Sequence, residues 1–117
     1  MPRIYRVQDR DGRGPYRPGV SKLWVDHNDV LPPPTWMAEF GSDLRTQMHP
    51  DEYVGCGMRR LDQLERWFSP SERVRLQALG YRLVALNVDR IIAESENQVV
   101  FGRRRPLVSG VTVMRFP

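Results

Sequence analysis

Apolar and polar positions along the chain divide it into short strands at both ends and helices near the middle. Residues 3–8 alternate, with Ile4 and Arg6 on one face and Tyr5 and Val7 on the other, which predicts an opening strand. Residues 9–19 hold three glycines and two prolines and read as a loop. Pro32-Pro33-Pro34 is a stiff spacer. Thr35 is placed to cap a helix over 36–47, with Trp36, Met37, Phe40 and Leu44 on one side and Gly41 interrupting it. Residues 48–57 read as a loop and a short strand, because His49-Pro50 disfavours helix. Met58, Leu61, Leu64, Trp67 and Phe68 recur at helical steps and predict an amphipathic helix over 58–68, with Trp67 in the core. Ser69-Pro70-Ser71-Glu72 has the form of a capping box opening a second helix, which runs to Leu79 and stops at Gly80. Residues 81–88 are apolar and β-prone, 91–93 fit either strand or helix, 98–101 form another apolar strand, and 111–116 alternate as an edge strand would. The sum predicts a single α+β domain over 1–117, a curved mixed or antiparallel sheet with two or three helices.

Composition narrows the class. With 40% hydrophobic and 9% aromatic residues the chain is a globular protein rather than a disordered one. No apolar run reaches the roughly 20 residues a membrane helix needs, and the basic N-terminus has no apolar stretch after it. A cytoplasmic location is the expectation. The net charge of +4 is uneven: residues 1–22 and 58–117 are basic and 23–57 are acidic. Of the 18 cationic side chains only Lys22 is lysine, and guanidinium forks suit phosphate and carboxylate partners.

Several motifs bear on chemistry. His27, His49 and Cys56 lack the paired spacing of a zinc site, and Cys56 between Gly55 and Gly57 reads as a small buried thiol. Gly12-Arg13-Gly14 follows a strand and fits a generic anion loop or a plain surface loop; it has neither a Walker lysine nor a dinucleotide fingerprint. Arg103-Arg104-Arg105 reads as a solvated turn, or as part of a basic face with Arg3, Arg10, Arg13 and Arg17. Glu94-Ser95-Glu96-Asn97-Gln98 precedes an apolar strand, where a carboxylate can grip a ribose hydroxyl or stabilise an oxocarbenium ion; an ordinary polar loop fits the same residues.

Three segments together resemble small phage and prophage proteins related to the ADP-ribosyltransferase fold. Tyr5-Arg6 resembles that fold's opening strand, Tyr53-Val54-Gly55-Cys56-Gly57 its central strand, and Glu96-Asn97-Gln98-Val99-Val100-Phe101 the late strand that presents a catalytic Glu. Gly55-Cys56-Gly57 stands where a Ser-Thr-Ser motif would follow, and Gln98 aligns with the key Glu. The resemblance implies NAD as cofactor and attack on the nicotinamide ribose. Arg6 would hold a phosphate, Gly12, Arg13 and Gly14 would follow the phosphates or adenosine, and Tyr53 or Tyr5 would stack on nicotinamide. Glu96 would stabilise the cation, with Gln98 at the aligned position and His49 orienting the acceptor. The partner the resemblance implies is a host protein, for example a CRISPR-Cas component.

Two other classes fit the sequence. A non-enzymatic, anti-CRISPR-type binder would block a host effector by occlusion, docking its acidic middle (Asp26, Asp29, Glu39, Asp43, Asp51, Glu52) on a basic channel. Direct nucleic-acid binding through the basic face ranks third, since no helix-turn-helix, zinc module or stacking aromatics accompany it.

Overall fold

The computed structural model describes residues 2–16, 19, 21–25 and 40–117. Strands β1 (Arg3–Gln8), β2 (Tyr53–Gly57), β3 (Arg82–Asn87), β4 (Arg90–Glu94), β5 (Val99–Arg103) and β6 (Thr112–Met114) form two three-stranded sheets, β1-β3-β6 and β2-β5-β4. Every recorded pairing among the described residues is antiparallel. The sheets are joined where Tyr5 and Met58 exchange both backbone hydrogen bonds, each 2.8 Å. The helices are short: α1 (Ser21–Trp24), α2 (Leu64–Trp67) and α3 (Pro70–Ala78), with 3-10 turns at Ser42–Gln47 and Leu61–Gln63.

The two faces of the first sheet explain the two cores. Val7 and Leu83 pack with Trp24, Met58, Leu64, Phe68, Leu76 and Tyr81, the side covered by the helices. Ile4, Val84 and Leu86 point the other way and meet Val99 and Phe101 of β5. Alternation along β1 and β3 puts these residues on opposite faces, so each face of the sheet buries its own apolar set.

The predicted cap of α3 is formed. Ser69 Oγ accepts from the Glu72 amide at 3.3 Å, and Glu72 Oε1 accepts from the Ser69 amide at 2.8 Å. At the other end Tyr81 donates to Leu76 O and Gly80 to Gln77 O, a Schellman arrangement that Gly80 permits by adopting φ +92°.

The structure corrects two of the expected helices. The helix expected over 58–68 begins later, because the Met58 backbone is committed to Tyr5 and Arg60 is extended (φ −128°, ψ 146°). Only the 3-10 turn and α2 remain of it. The helix expected over 36–47 lies partly outside the described residues; within them, Ser42–Gln47 is a 3-10 turn. Residues 91–93 are strand, part of β4, with a bulge between Ile91 and Ala93.

One ion pair fixes the turn before β2. Both carboxylate oxygens of Glu52 accept from Arg90, whose Nη2 also donates to Gln47 O. The Glu52 side chain is 4% exposed and lies over Gly102, where a Cβ would collide with the carboxylate. The hydrogen bonds from Arg90 hold the Glu52 carboxyl below its ordinary 4.5, more than offsetting the opposing effect of burial. The folded state therefore releases this proton more readily than the unfolded chain. The stabilisation is complete above about pH 4.5 and is lost as pH falls through the lowered value. Glu52→Gln should therefore be less stable than the native protein at pH 7, and the gap should narrow progressively as the pH falls below about 4.5 in urea titrations. A gap independent of pH would mean that the carboxylate charge contributes nothing.

Candidate functional site

The site is best built outward from Arg6. Alternation of β1 turns Arg6 to the same face as Ile4, and the side chain is 6% exposed. Its Nε donates to Gln8 Oε1 (2.8 Å), Nη1 to Cys56 O (2.8 Å) and Nη2 to Gly12 O (2.7 Å). Burial lowers the Arg6 pKa, with the nearby Cys56 and Asp9 acting in the opposite direction. Space for this side chain comes from glycine. A Cβ at Gly55 would lie 2.9 Å from Arg6 Nη1 and 3.0 Å from Phe101, and one at Gly57 would lie 2.5 Å from Tyr5 O. Gly55-Cys56-Gly57 is thus the strand that a crossing β1 and its buried arginine require.

The 9–16 loop is folded onto Arg6. Asp9 Oδ1 accepts from the amides of Asp11 and Arg13, both at 2.9 Å, and Gly12 takes φ +82°. This turn directs Gly12 O at the guanidinium. Gln8 extends the network by donating to Leu107 O at 2.9 Å. A second buried arginine holds the other loop. Arg103, 1% exposed, donates to Asn87 O (2.9 Å), Pro106 O (2.5 Å) and Ser109 O (2.6 Å). The expected solvated turn is corrected here: Arg104 and Arg105 are exposed, but Arg103 is interior.

Two hollows lie near these residues. One, of about 100 Å³, is bounded by Arg6, Gly14, Cys56, Met58, Trp67 and Tyr16. Tyr16 packs edge-on to Trp24 (5.0 Å) and stacked on Phe68 (5.9 Å), and burial first, then Glu72, pushes its hydroxyl above the ordinary range. Cys56 is half-buried rather than fully enclosed. The other is an open polar cleft of about 360 Å³ lined by Arg59, Arg60, Gln63, Arg66, Glu94 and Glu96.

Arg6, Gly12 and Gly14 lie together: Gly12 O accepts from the guanidinium, and Gly14 borders the hollow beside it. Glu96 is exposed at the β4–β5 turn and lines the second cleft, which shares no lining residue with the first. Gln98, 1% exposed, sits at the entrance to β5. Tyr53 is exposed at the far end of β2 from the Tyr5–Met58 bridge, and His49 lies on the exposed loop before it. Arg13 is exposed, its amide committed to Asp9. Trp67, expected in the core, is half-buried and donates to Asn97 O at 2.6 Å. Of the acidic middle, Asp26, Asp29 and Glu39 lie outside the described residues, and Glu52 is consumed by Arg90. Sequence reasoning missed Gln8, Gln63 and Arg103 as network residues. Among the described residues no helix is long and apolar enough to cross a membrane.

A family model described as Bacteriophage T4 Y00F protein matches residues 1–113. No curated protein and no solved structure matches the chain.

Arg6→Ala should destabilise the fold by about 3 kcal/mol, because three acceptors lose their donor at once. Urea unfolding followed by circular dichroism measures it; a loss under about 1 kcal/mol would mean that water replaces the guanidinium freely.

Proposed function

The chain belongs to the bacteriophage T4 Y00F protein family, and we propose that it is a phage-encoded binding protein on an ADP-ribosyltransferase-like core, acting on a host protein by occupation rather than by group transfer. The core reading is supported by adjacency: β1 is bridged to β2 and β2 is paired with β5, so the three segments that carry the resemblance are neighbouring strands. The observation that carries the non-catalytic reading is the commitment of Arg6. All three of its nitrogens donate to protein acceptors, which pins the guanidinium in place and leaves a pyrophosphate at most one N–H on each of Nη1 and Nη2.

Two further features point the same way. A buried amide at Gln98 supplies no negative charge to a developing oxocarbenium ion. The hollow beside Arg6, at about 100 Å³, is smaller than the roughly 300 Å³ at which small-molecule sites begin. A CRISPR-Cas effector is one host complex that such a protein would block. Retention of NAD transfer is the second reading. It is favoured by the aromatic wall of that hollow, Tyr16, Trp67 and Phe68, which suits a flat ring, with Arg6 beside it. Direct nucleic-acid binding is weakened by the withdrawal of Arg103 from the basic run.

Purified protein incubated with NAD separates the readings. The expected result is no nicotinamide release and no calorimetric signal for NAD, with a stable complex recovered from host lysate. Nicotinamide release that disappears in Glu96→Ala would overturn the binder reading in favour of transfer.

A further inference from the structure

The cleft between the 59–66 segment and the β4–β5 turn has a wall held by side-chain hydrogen bonds. Gln63 Oε1 accepts from the amides of Arg59 and Arg60, both at 3.0 Å, while its Nε2 donates to Glu96 O at 2.8 Å. Trp67 ties the same turn through Asn97 O, and Arg59 grips both carboxylate oxygens of Glu94 at 3.0 and 3.2 Å. Ser95 Oγ accepts from the Asn97 and Gln98 amides and closes the turn itself. These bonds satisfy the buried Gln63 and the Trp67 indole and hold the cleft wall in one shape.

Three guanidinium groups and two carboxylates line the cleft. Arg59 and Glu94 satisfy each other. Arg60 uses only Nε, on Asp62, which leaves its two terminal nitrogens. The Arg66 guanidinium and the Glu96 carboxylate have no hydrogen-bond or ion-pair partner among the described residues. The uncommitted groups are thus donors carrying positive charge and one anionic acceptor. A phosphate monoester supplies three acceptor oxygens and between one and two negative charges, which suits two guanidinium groups better than a carboxylate would. The Glu96 carboxylate would repel that anion if it faced it alone, but it accepts hydrogen bonds from hydroxyl groups.

We infer that this cleft binds a phosphorylated sugar, the phosphate on Arg60 and Arg66 and the hydroxyl groups on Glu96. The volume of about 360 Å³ lies within the range of small-molecule sites. The inference goes beyond the reading above and does not depend on it, since neither Arg6 nor the aromatic hollow takes part.

The test is a ¹H–¹⁵N NMR titration of the full chain with ribose 5-phosphate, ribose, inorganic phosphate and adenosine 5′-monophosphate, following the Arg66 Nε and Glu96 amide signals. Ribose 5-phosphate should bind about tenfold tighter than inorganic phosphate, and ribose should not register. Arg66→Ala should weaken ribose 5-phosphate by about tenfold, and Glu96→Gln should remove most of its advantage over phosphate. Both positions are exposed, so unchanged melting of the variants confirms that the fold is intact. Tighter binding of the monophosphate nucleoside would identify a nucleotide as the source of the sugar phosphate, and equal binding a free sugar phosphate. Signals unmoved at millimolar ligand, or binding of all anions equally and indifferent to Arg66→Ala, would overturn the inference.

Discussion

Two almost fully buried arginines, Arg6 and Arg103, dictate much of this fold. A buried guanidinium must find acceptors for its donors, and in so small a domain those acceptors are mostly backbone carbonyls. Arg6 therefore draws the Gly12 carbonyl inward and binds β1 to the Cys56 carbonyl of β2. Arg103 does the same for the Pro106 and Ser109 carbonyls. Gln8 connects the two regions by accepting from Arg6 and donating to Leu107 O. The loops that flank β1 and follow β5 thus have their conformations set from the interior. The glycines of β2 are the corresponding constraint on sequence, since Gly55 and Gly57 leave the volume that Arg6 and the Tyr5 carbonyl occupy.

Local signals in the sequence were sufficient where local physics decides. The period-2 pattern of β1, the apolar run of β3 and the capping box at Ser69 each specify an element without reference to distant residues. The helix expected from residue 58 failed because its first residue is held by a strand more than fifty positions earlier, an interaction that no local period records. Arginine burial was similarly hidden. Charge predicts exposure for nearly every arginine, and the contrary signal at Arg6 was the pair of glycines two residues apart in β2, which points to a close backbone approach. For Arg103 the only hint was its position at the end of an apolar strand.

The candidate site divides in the same manner. The strands that hold Arg6 and Cys56 and the strand that follows Gln98 are neighbours, β1 bridged to β2 and β2 paired with β5. The separation of Glu96 from Arg6 was not legible in the sequence, because it depends on the β4–β5 turn carrying Glu96 to the surface while Gln98 enters the interior. Two residues along the chain separate an exposed acid in the polar cleft from a buried amide at the entrance to β5.

The account depends most on Arg6 being a cross-link inside the protein rather than a hand held out to a ligand. Arginine side-chain ¹⁵N NMR measures this directly. The account predicts separate, slowly exchanging Nη signals for Arg6 that stay in place when NAD is added. A rapidly rotating, solvent-exchanging Arg6 guanidinium whose signals shift with NAD would contradict it.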